Sequence, residues 1–477
     1  MRSRCVMEIV FGAVVVGLGL GSPVMADGPT YHRDITAILQ KNCQECHRPG
    51  QVAPFSLLTY DQARKRGADI AHVTGERTMP PWPASTSFGG PFLNQRVLPA
   101  ADLAKLQAWV DAGCPEGDPN DAPKPREFAS DWPLGKPDVI LTMPANYELS
   151  AEGNDEFRVF VLKTDFAEDR YIRAVDFKPG NRKVVHHIIA GIDASGRARE
   201  LDARDEKPGY EAIGGFGDGV PLKGFLPIWT PGAVPRYQPD GSGYVLPAKS
   251  DVLIQMHYHK SGKPETDATE VGLYLSDKPL AKQVRTGFLF PDIDEQAQAK
   301  LTKKFQAAFL SGKRPTLEEM FQDVLVIPPG EKNYSIKGSS KTAQMMARPL
   351  SRDILLTSVM PHMHWLGKDF TFRAIVPDKS VSPIELIKID RWNFNWQGTY
   401  AFVEPIRLPK GTYFEMEAHF DNSEDNPANP SHPPKVVTWG EQTTNEMCIG
   451  VYEFIVADGP DAPKTPAPGS ERSRLRD

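Results

Sequence analysis

One stretch decides how the rest of this chain is interpreted: Ile354-Leu355-Leu356-Thr357-Ser358-Val359-Met360-Pro361-His362-Met363-His364-Trp365-Leu366-Gly367-Lys368. Its largely apolar first half predicts a buried strand. Because residues i and i+2 of a strand point to the same face, His362 and His364 can hold one ion while Met363 faces away. Neutral imidazoles suit copper, zinc, iron or nickel. A single His-x-His pattern more often has a structural explanation, so the remaining sequence has to decide.

Two further histidine pairs lie in similar apolar segments. The chain has 11 histidines, and the other two pairs occur in Val184-Val185-His186-His187-Ile188-Ile189 and Gln255-Met256-His257-Tyr258-His259. Adjacent residues of a regular strand point to opposite faces, so His186 and His187 can reach one ion only where the strand ends or bulges. The alternative is that one of them packs in the core and the other faces solvent.

The N-terminal part contains Cys43-Gln44-Glu45-Cys46-His47, the attachment pattern of a c-type haem. In that pattern Cys43 and Cys46 add to the haem vinyl groups, and His47 becomes the proximal iron ligand. A redox dithiol or half of a zinc site is the alternative. The exported context described below favours haem.

The sixth iron ligand is expected in the loop Thr78-Met79-Pro80-Pro81-Trp82-Pro83. Its prolines keep the chain out of a helix, so the thioether of Met79 can point inward. His72 is the competing ligand, and an ordinary apolar contact is the structural alternative for Met79. Residues 31–41 and 101–112 predict amphipathic helices, so residues 27–119 are expected to form a small all-α cytochrome c domain.

The composition after this domain changes twice. Residues 120–134 are rich in Pro, Asp and Glu and are typical of a linker. Short alternating apolar segments then predict two all-β halves, residues 135–290 and residues 291–457, the second with a helical insert at its start. Residues 458–477 are expected to be disordered. The expected fold class is therefore multidomain, with a small all-α domain followed by two all-β antiparallel sandwiches.

The first 26 residues have the features of a secretory signal peptide. Arg2 and Arg4 precede an apolar segment that is short for a bilayer span, and small residues allow cleavage after Ala26. We therefore expect a periplasmic or secreted bacterial protein with no membrane span after cleavage; an uncleaved anchor is the alternative. The net charge of -6 and the lack of a Lys/Arg-rich block argue against nucleic acid as a partner. Cys114 and Cys448 are expected to stay unpaired.

Four segments in order resemble the copper type II ascorbate-dependent monooxygenases, the family of peptidylglycine α-hydroxylating monooxygenase and dopamine β-hydroxylase. The resemblance covers residues 138–454. It implies that an electron-transfer copper is bound by His186, His187 and His257, with His259 a neighbour and not a ligand. It implies that the catalytic, O2-binding copper is held by His362, His364 and Met447, the last within Thr444-Asn445-Glu446-Met447-Cys448. Two jelly-roll sandwiches, with the coppers facing each other across a solvent-filled cleft, are implied as well.

The resemblance also implies a function, and the haem motif, which departs from the familiar members of the family, adds a cofactor to it. A periplasmic copper-dependent monooxygenase would hydroxylate a C–H bond of a small organic substrate with O2, using two copper ions and one covalently attached haem c. The fused haem, fed by a periplasmic electron donor, would stand in for ascorbate. Met360 and Val451 replace the basic residue and the tyrosine of the peptide-amidating relative, so a glycine-extended peptide is not expected as the substrate.

Two other readings of the same residues stay open. One is a non-catalytic haem/copper electron-transfer or copper-binding protein, which would keep the ligands and hydroxylate nothing. The other is a haem-only redox protein whose β-rich body docks a partner, which predicts no bound copper.

Overall fold

The computed structural model describes residues 28–128, 132–311, 317–341 and 348–457. The expected signal peptide, the C-terminal tail and residues 129–131 of the expected linker lie outside these ranges. The described chain is mostly β-sheet with few helices. None of the helices in these ranges combines the length and the apolar character needed to cross a membrane.

Short helices form the N-terminal unit. A π-helical turn, Tyr31–Ile35, continues into the first helix, and the set is α1 (Thr36–Asn42), α2 (Tyr60–Lys65), α3 (Gly67–Gly75) and α4 (Ala100–Asp111). These bounds confirm the helices predicted over residues 31–41 and 101–112. Thr59 and Gln62 form a capping box at the start of α2. The unit has its own core, whose fully buried members include Ile35, Leu39, Leu106 and Trp109.

One element of this unit is a strand. β1 (Ala84–Gly89) pairs antiparallel with β18 (Ile384–Ile389), which belongs to the C-terminal half. Gly89 fits this contact because its φ is +75° and a Cβ there would lie 2.1 Å from the carbonyl oxygen of Leu386. The expectation of an all-α domain over residues 27–119 is wrong for this segment. Prolines precede it and disfavour helix, and β18 offers it a strand partner.

The N-terminal half of the body is built almost entirely from strands. Its elements are β2 (Val139–Thr142), β3 (Tyr147–Leu149), β4 (Glu156–Lys163), β5 (Arg170–Lys178), β6 (Val185–Asp193), α5 (Arg197–Asp202), β7 (Tyr210–Glu211), β8 (Leu222–Phe225), β9 (Ser242–Leu246), β10 (Asp251–Tyr258), β11 (Glu265–Asp267), β12 (Glu270–Leu275) and β13 (Lys282–Leu289). All eight residues of β10 are buried, which fits a strand covered on both faces.

The C-terminal half begins with the helical insert that the sequence predicts. The insert comprises α6 (Glu295–Ser311) and α7 (Leu317–Phe321). The strands that follow, together with β18, are β14 (Val326–Ile327), β15 (Tyr334–Ser339), β16 (Ile354–Met363), β17 (Gly367–Ile375), β19 (Tyr400–Leu408), β20 (Tyr413–Phe420), β21 (Val437–Thr438) and β22 (Cys448–Val456). The apolar segment that leads to His362 is therefore a strand, β16, as predicted.

Three sheets organise the body. Two have five strands, in the orders β7-β4-β10-β6-β8 and β1-β18-β17-β20-β15, and one has eight, in the order β19-β16-β22-β13-β9-β5-β12-β2. Among the paired strands that the structure describes, only β9 and β13 run parallel. The eight-stranded sheet runs through both halves, because β13 also pairs with β22. Each half has its own buried core. The jelly-roll winding of the halves stays a prediction.

Candidate metal centre

The first histidine cluster forms where β6 and β10 meet. The two strands pair antiparallel with His257 opposite His187, and the next pair is Tyr258 with Val185. His186 is therefore an extra residue in β6, and the strand bulges there. The strand thus has the bulge that the sequence analysis requires if both adjacent histidines are to reach one ion.

The three rings converge as the sequence predicts. The ring centroid of His186 lies 5.4 Å from that of His187 and 5.0 Å from that of His257, and the last two are 4.7 Å apart. Nδ1 of His257 is 3.0 Å from Nε2 of His187. Two nitrogens bound to one tetrahedral ion at about 2.0–2.1 Å would lie roughly 3.3 Å apart. The spacing of these two nitrogens therefore fits a shared ion, but among the described residues His186, His187 and His257 are not a group whose ligand atoms all lie within 4.8 Å of one another.

The chemistry of this cluster also suits a metal. Nδ1 of His187 is buried and has no hydrogen-bond partner among the described residues. Burial, reinforced by the neighbouring imidazoles, holds the pKa values of His186 and His187 well below their usual range. Burial also lowers the pKa of His257 to about 4. The three side chains are therefore neutral at neutral pH, the form in which imidazole binds metal.

A carboxylate and a fourth histidine border this cluster. Oδ2 of Asp155 is 3.1 Å from Nε2 of His257, and Oδ1 is 2.8 Å from Nδ1 of His259. Although burial alone would raise it, hydrogen bonds from the two imidazoles hold the pKa of Asp155 below its usual range. Sequence reasoning missed Asp155, which precedes β4 and is 102 residues from His257. No spacing pattern in the sequence could have linked the two.

The second cluster lies at the end of β16. The rings of His362 and His364 are 5.2 Å apart and perpendicular. Nδ1 of His362 is 2.5 Å from Oε1 of Gln397, and Nδ1 of His364 is 3.0 Å from the carbonyl oxygen of Asn445. Both contacts leave Nε2 as the nitrogen available to an ion. Burial lowers the pKa of His362 to about 4 and that of His364 well below its usual range.

The segment that contains Met447 is fixed next to this cluster. The buried carboxylate of Glu446 accepts hydrogen bonds from the backbone nitrogens of His364 (2.8 Å), Leu366 (2.5 Å) and Met447 (3.2 Å). Cys448 pairs with Met363 in the register of β22 and β16. The backbone of Met447 thus lies beside the histidine loop, and its half-buried side chain packs against the C-terminal core. Sequence reasoning missed Glu446, although it adjoins the predicted ligand.

The two clusters touch each other. The ring centroids of His187 and His362 are 6.3 Å apart. Gln397, which contacts His362, also places its amide nitrogen 3.3 Å from Nε2 of His186. Phe394 stacks on His186 at 4.5 Å. The implied solvent-filled cleft between two separate sites is therefore wrong here, because Gln397 and Phe394 fill the space between the imidazoles.

The haem motif lies just beyond α1. Nδ1 of His47 is 3.2 Å from the carbonyl oxygen of Phe55, which leaves Nε2 free for an iron. Cys43 and Cys46 are free thiols, and burial raises the pKa of Cys43 to about 12. Met79 follows α3 and lines a cavity of about 770 Å³ between the helical unit and the body. The residues that line this cavity do not include the three motif residues.

The structure also shows the environments of His72 and of the cysteines outside the haem motif. His72, the competitor of Met79, is exposed on α3. Cys114 and Cys448 are both buried and free, which confirms that they stay unpaired.

Comparison of the chain with known protein families gives one match. Residues 316–455 match the model of the copper type II ascorbate-dependent monooxygenase, C-terminal domain. The matched segment is less than a third of the 477 residues and contains His362, His364 and Met447. It supports, in general terms, a copper-dependent monooxygenase, an oxidoreductase that uses O2 and an organic substrate. The match includes neither the other two histidine pairs nor the Cys43 motif.

Whole-chain comparisons add little. No curated protein matches the chain. The major capsid protein P2 from bacteriophage PM2 shares 7% identity, with 68% of this chain and 99% of that chain covered and a TM-score of 0.24. PNGF-II shares 10% identity, with 67% and 65% covered and a TM-score of 0.22. A fucolectin from striped bass serum shares 8% identity, with 65% and 86% covered and a TM-score of 0.15. At these TM-scores the likenesses carry no argument about fold or function.

Proposed function

We propose that the protein is a periplasmic copper-dependent monooxygenase that hydroxylates a C–H bond of a small organic substrate with O2. The observation that carries the proposal is the contact between two buried histidine clusters, one from each half of the body. Clusters of neutral, buried imidazoles are typical of transition-metal sites. The match of residues 316–455 to the monooxygenase domain supports copper as that metal.

Each cluster has a proposed role. The electron-transfer copper is assigned to His186, His187 and His257, and the O2-binding copper to His362, His364 and Met447. The chemistry that bound copper supplies is one-electron transfer and activation of dioxygen. The protein supplies orientation, since Gln397 and Asn445 fix the ring nitrogens that His362 and His364 present. If the thioether of Met447 joined the two imidazoles as a ligand, the site would favour Cu(I).

A cavity lined in part by Gln397, which contacts His362, suggests the size of the substrate; none of the six proposed copper ligands lines it. It has a volume of about 140 Å³ and is lined by Met360, Gln397 and Val451, together with the aromatic residues Trp82, Trp229, Trp396, Tyr400 and Tyr452. A cavity of about 150 Å³ with apolar walls accommodates benzene. We therefore propose a compact, uncharged substrate.

The two arginines of this cavity are already engaged, whereas Asp176, which also lines it, is a buried carboxyl whose pKa burial raises to about 6. Arg236 forms an ion pair with Glu453 at 2.9 Å, and Arg96 donates to the carbonyl oxygen of Gly232 at 2.6 Å. Neither arginine is therefore a free partner for a substrate carboxylate. Met360 and Val451 stand where the peptide-amidating relative has its basic residue and tyrosine, so the lining supports an uncharged substrate rather than a peptide acid.

We further propose that a c-type haem on Cys43, Cys46 and His47, with Met79 as the sixth ligand, supplies the electrons. The orientation of His47 supports this, because its Nδ1 is engaged by a backbone carbonyl and its Nε2 is not. The haem chemistry itself is one-electron transfer.

The helical unit is docked on the body, which supports a short electron path. Besides the pairing of β1 with β18, Arg391 donates to the carbonyl oxygen of Glu76 at 2.7 Å. The side chain of Trp82 packs edge-on against Tyr400, with centroids 5.2 Å apart. The linker over residues 120–134 is therefore not the only connection between the two parts.

Arg182 lies between the haem motif and the first cluster in its electrostatic effect and its packing. Burial raises the pKa of the Cys46 thiol, and the charges of Arg96 and Arg182 oppose that effect. The guanidinium carbon of Arg182 is 5.8 Å from the ring centroid of Trp229. The backbone of Trp229 exchanges two 2.9 Å hydrogen bonds with Ile188, the neighbour of His187.

A single-turnover experiment tests the oxygenase proposal. The reduced, copper-loaded protein is exposed to ¹⁸O₂ with a panel of compact substrates such as alkylbenzenes and cycloalkanes. We expect ¹⁸O in a hydroxylated product from the wild type and at least about 100-fold less from His364→Ala. His419→Ala, which removes a histidine paired with Asp369 elsewhere in the body, is the control. If the copper-loaded protein oxidised its haem with O2 but hydroxylated no substrate, the oxygenase proposal would fail. The result would favour the alternative hypothesis of a non-catalytic electron-transfer protein.

A further inference from the structure

We propose that the first copper site has a fourth imidazole ligand, His259, and that Asp155 holds His259 and His257 in the ligating orientation. The inference rests on the proposed function, because it assumes that the cluster of His186, His187 and His257 binds copper. It departs from the resemblance, which makes His259 a neighbour and assigns no role to Asp155.

The ring of His259 lies next to two of the residues assigned to the first copper site. Its ring centroid is 4.3 Å from that of His186 and 4.8 Å from that of His257. It is therefore closer to His186 than His187 is, at 5.4 Å. His259 therefore lies against two of the three assigned residues, and among the described residues no ring contact joins it to His187.

Asp155 determines which ring nitrogens of His259 and His257 carry a lone pair. Nδ1 of His259 donates to Oδ1 of Asp155, so the lone pair of a neutral ring is on Nε2. That nitrogen has no hydrogen-bond partner among the residues that the structure describes. Nε2 of His257 donates to the other carboxylate oxygen, which leaves the lone pair on Nδ1, the atom that lies 3.0 Å from His187. One carboxylate thus sets both tautomers.

Asp155 is itself held in place by hydrogen bonds with Gln442 and Thr443. The side chain of Gln442 accepts a hydrogen bond from the backbone nitrogen of Asp155 at 3.1 Å and donates to its carbonyl oxygen at 3.2 Å. The backbone nitrogen of Thr443 donates to Oδ2 at 3.3 Å. A carboxylate fixed in this way restricts the rotation of both imidazoles, which is what an outer carboxylate does for histidine ligands in metal sites.

A competing arrangement uses the same residues differently. Asp155, His257 and His259 each offer a ligand atom, and these atoms lie within 4.8 Å of one another, so they could hold an ion of their own. Both carboxylate oxygens already accept hydrogen bonds from imidazoles, and Nδ1 of His257 faces His187, away from Asp155. We therefore assign the carboxylate to a position outside the copper. Among the described residues, Asp155, His257 and His259 are the one group whose ligand atoms already lie this close together, so His186 and His187 have to turn their ring nitrogens inward to complete a site of four imidazoles. Four nitrogen ligands suit tetragonal Cu(II).

Pulsed electron paramagnetic resonance of bound Cu(II) tests this, because it counts coordinated imidazoles. The full chain is used in a His362→Ala background, so that the first site gives the signal. We expect four coordinated imidazoles in the His362→Ala protein. We expect three when His259→Gln is added, because the amide can keep the hydrogen bond to Asp155 but provides no imidazole. Copper affinity should fall about 10–100-fold in His259→Gln and by a similar factor in Asp155→Asn, which should still show four imidazoles. His419→Ala, another half-buried histidine bonded to an aspartate, should change neither readout.

The outcomes separate this inference from the proposed function. An unchanged imidazole count and affinity in His259→Gln would overturn the fourth ligand, even if the copper site itself is intact. Loss of Cu(II) in Asp155→Asn but not in His187→Ala would overturn it in favour of an ion held directly by the carboxylate. If the parent protein binds no Cu(II) at all, the proposed function fails with it. The haem absorption spectrum of each variant reports on folding and is independent of copper.

Discussion

Oε1 of Gln397 lies 2.5 Å from Nδ1 of His362, and the amide nitrogen of the same side chain lies 3.3 Å from Nε2 of His186. The amide nitrogen also donates to the carbonyl oxygen of Phe394 at 3.1 Å, which fixes the orientation of the amide. One side chain thus joins a histidine of each proposed copper site, and so joins the two halves of the body at the point where the chemistry is proposed.

Removing this bridge should weaken both the fold and the second site. In Gln397→Leu, the buried ring N–H of His362 loses its acceptor, which costs about 1–3 kcal/mol of unfolding free energy. The ring also loses its orientation, so copper affinity at the second site should fall about 10–100-fold. Urea unfolding of the copper-free protein and copper titration measure the two effects. Gln107→Leu, on the exposed face of α4, should change neither, and equal copper affinity in the two variants would contradict the role of Gln397.

The buried histidines should make the copper-free protein sensitive to acid. Burial lowers the pKa of His257 to about 4 in the folded state, whereas an unfolded histidine titrates near its usual value of about 6.5. Between these values the unfolded chain binds more protons, so stability is fully present above about pH 6.5 and is lost as the pH falls towards 4. From pH 7 to pH 5, His257 alone should contribute a loss of about 2 kcal/mol.

The test is the pH dependence of urea unfolding for copper-free wild type and His257→Gln. The variant cannot take up this proton, so its unfolding free energy should fall less steeply between pH 7 and pH 5. Parallel curves for the two proteins would show that His257 is not the titrating group.

The docking of β1 depends on Gly89. Gly89 and Gly50 both have a left-handed backbone, with φ of +75° and +77°, but only at Gly89 would a Cβ meet another atom, the carbonyl oxygen of Leu386. Gly50→Ala should therefore cost only the backbone strain, about 1–2 kcal/mol. Gly89→Ala should cost more and should expose β1 to protease, because its pairing with β18 cannot survive the clash. Equal stability losses in the two variants would mean that the docked strand adds nothing to the fold.

The features that the sequence could predict are local ones. The strand with His362, the bulge at His186 and the two N-terminal helices follow from periodicity and from the geometry of adjacent residues. The pairing of β1 was not accessible, because its partner β18 is about 300 residues away and β1 itself, Ala-Ser-Thr-Ser-Phe-Gly, has no strong strand pattern. Asp155 and Gln397 were missed for a similar reason. Their roles depend on contacts made by folding across long separations, and Asp and Gln are common outside functional sites.

The proposed electron path predicts a kinetic difference. With the haem reduced beforehand, O2 and a substrate should oxidise it faster in the wild type than in His187→Ala, because this variant loses the electron-transfer copper and leaves the haem motif intact. Stopped-flow absorbance of the haem follows the reaction. His419→Ala should behave as the wild type. Equal rates in the wild type and in His187→Ala would mean that the haem serves another partner, and the haem-to-copper path would have to be abandoned.

The metal content of the purified full chain tests the central claim most directly, namely that the two touching histidine clusters each bind copper. We predict two coppers and one haem iron per chain in the wild type. His187→Ala and His362→Ala should each retain about one copper and the full haem iron, and the double variant should retain haem iron alone. A wild-type protein without copper, or variants whose copper content equals that of the wild type, would contradict the assignment.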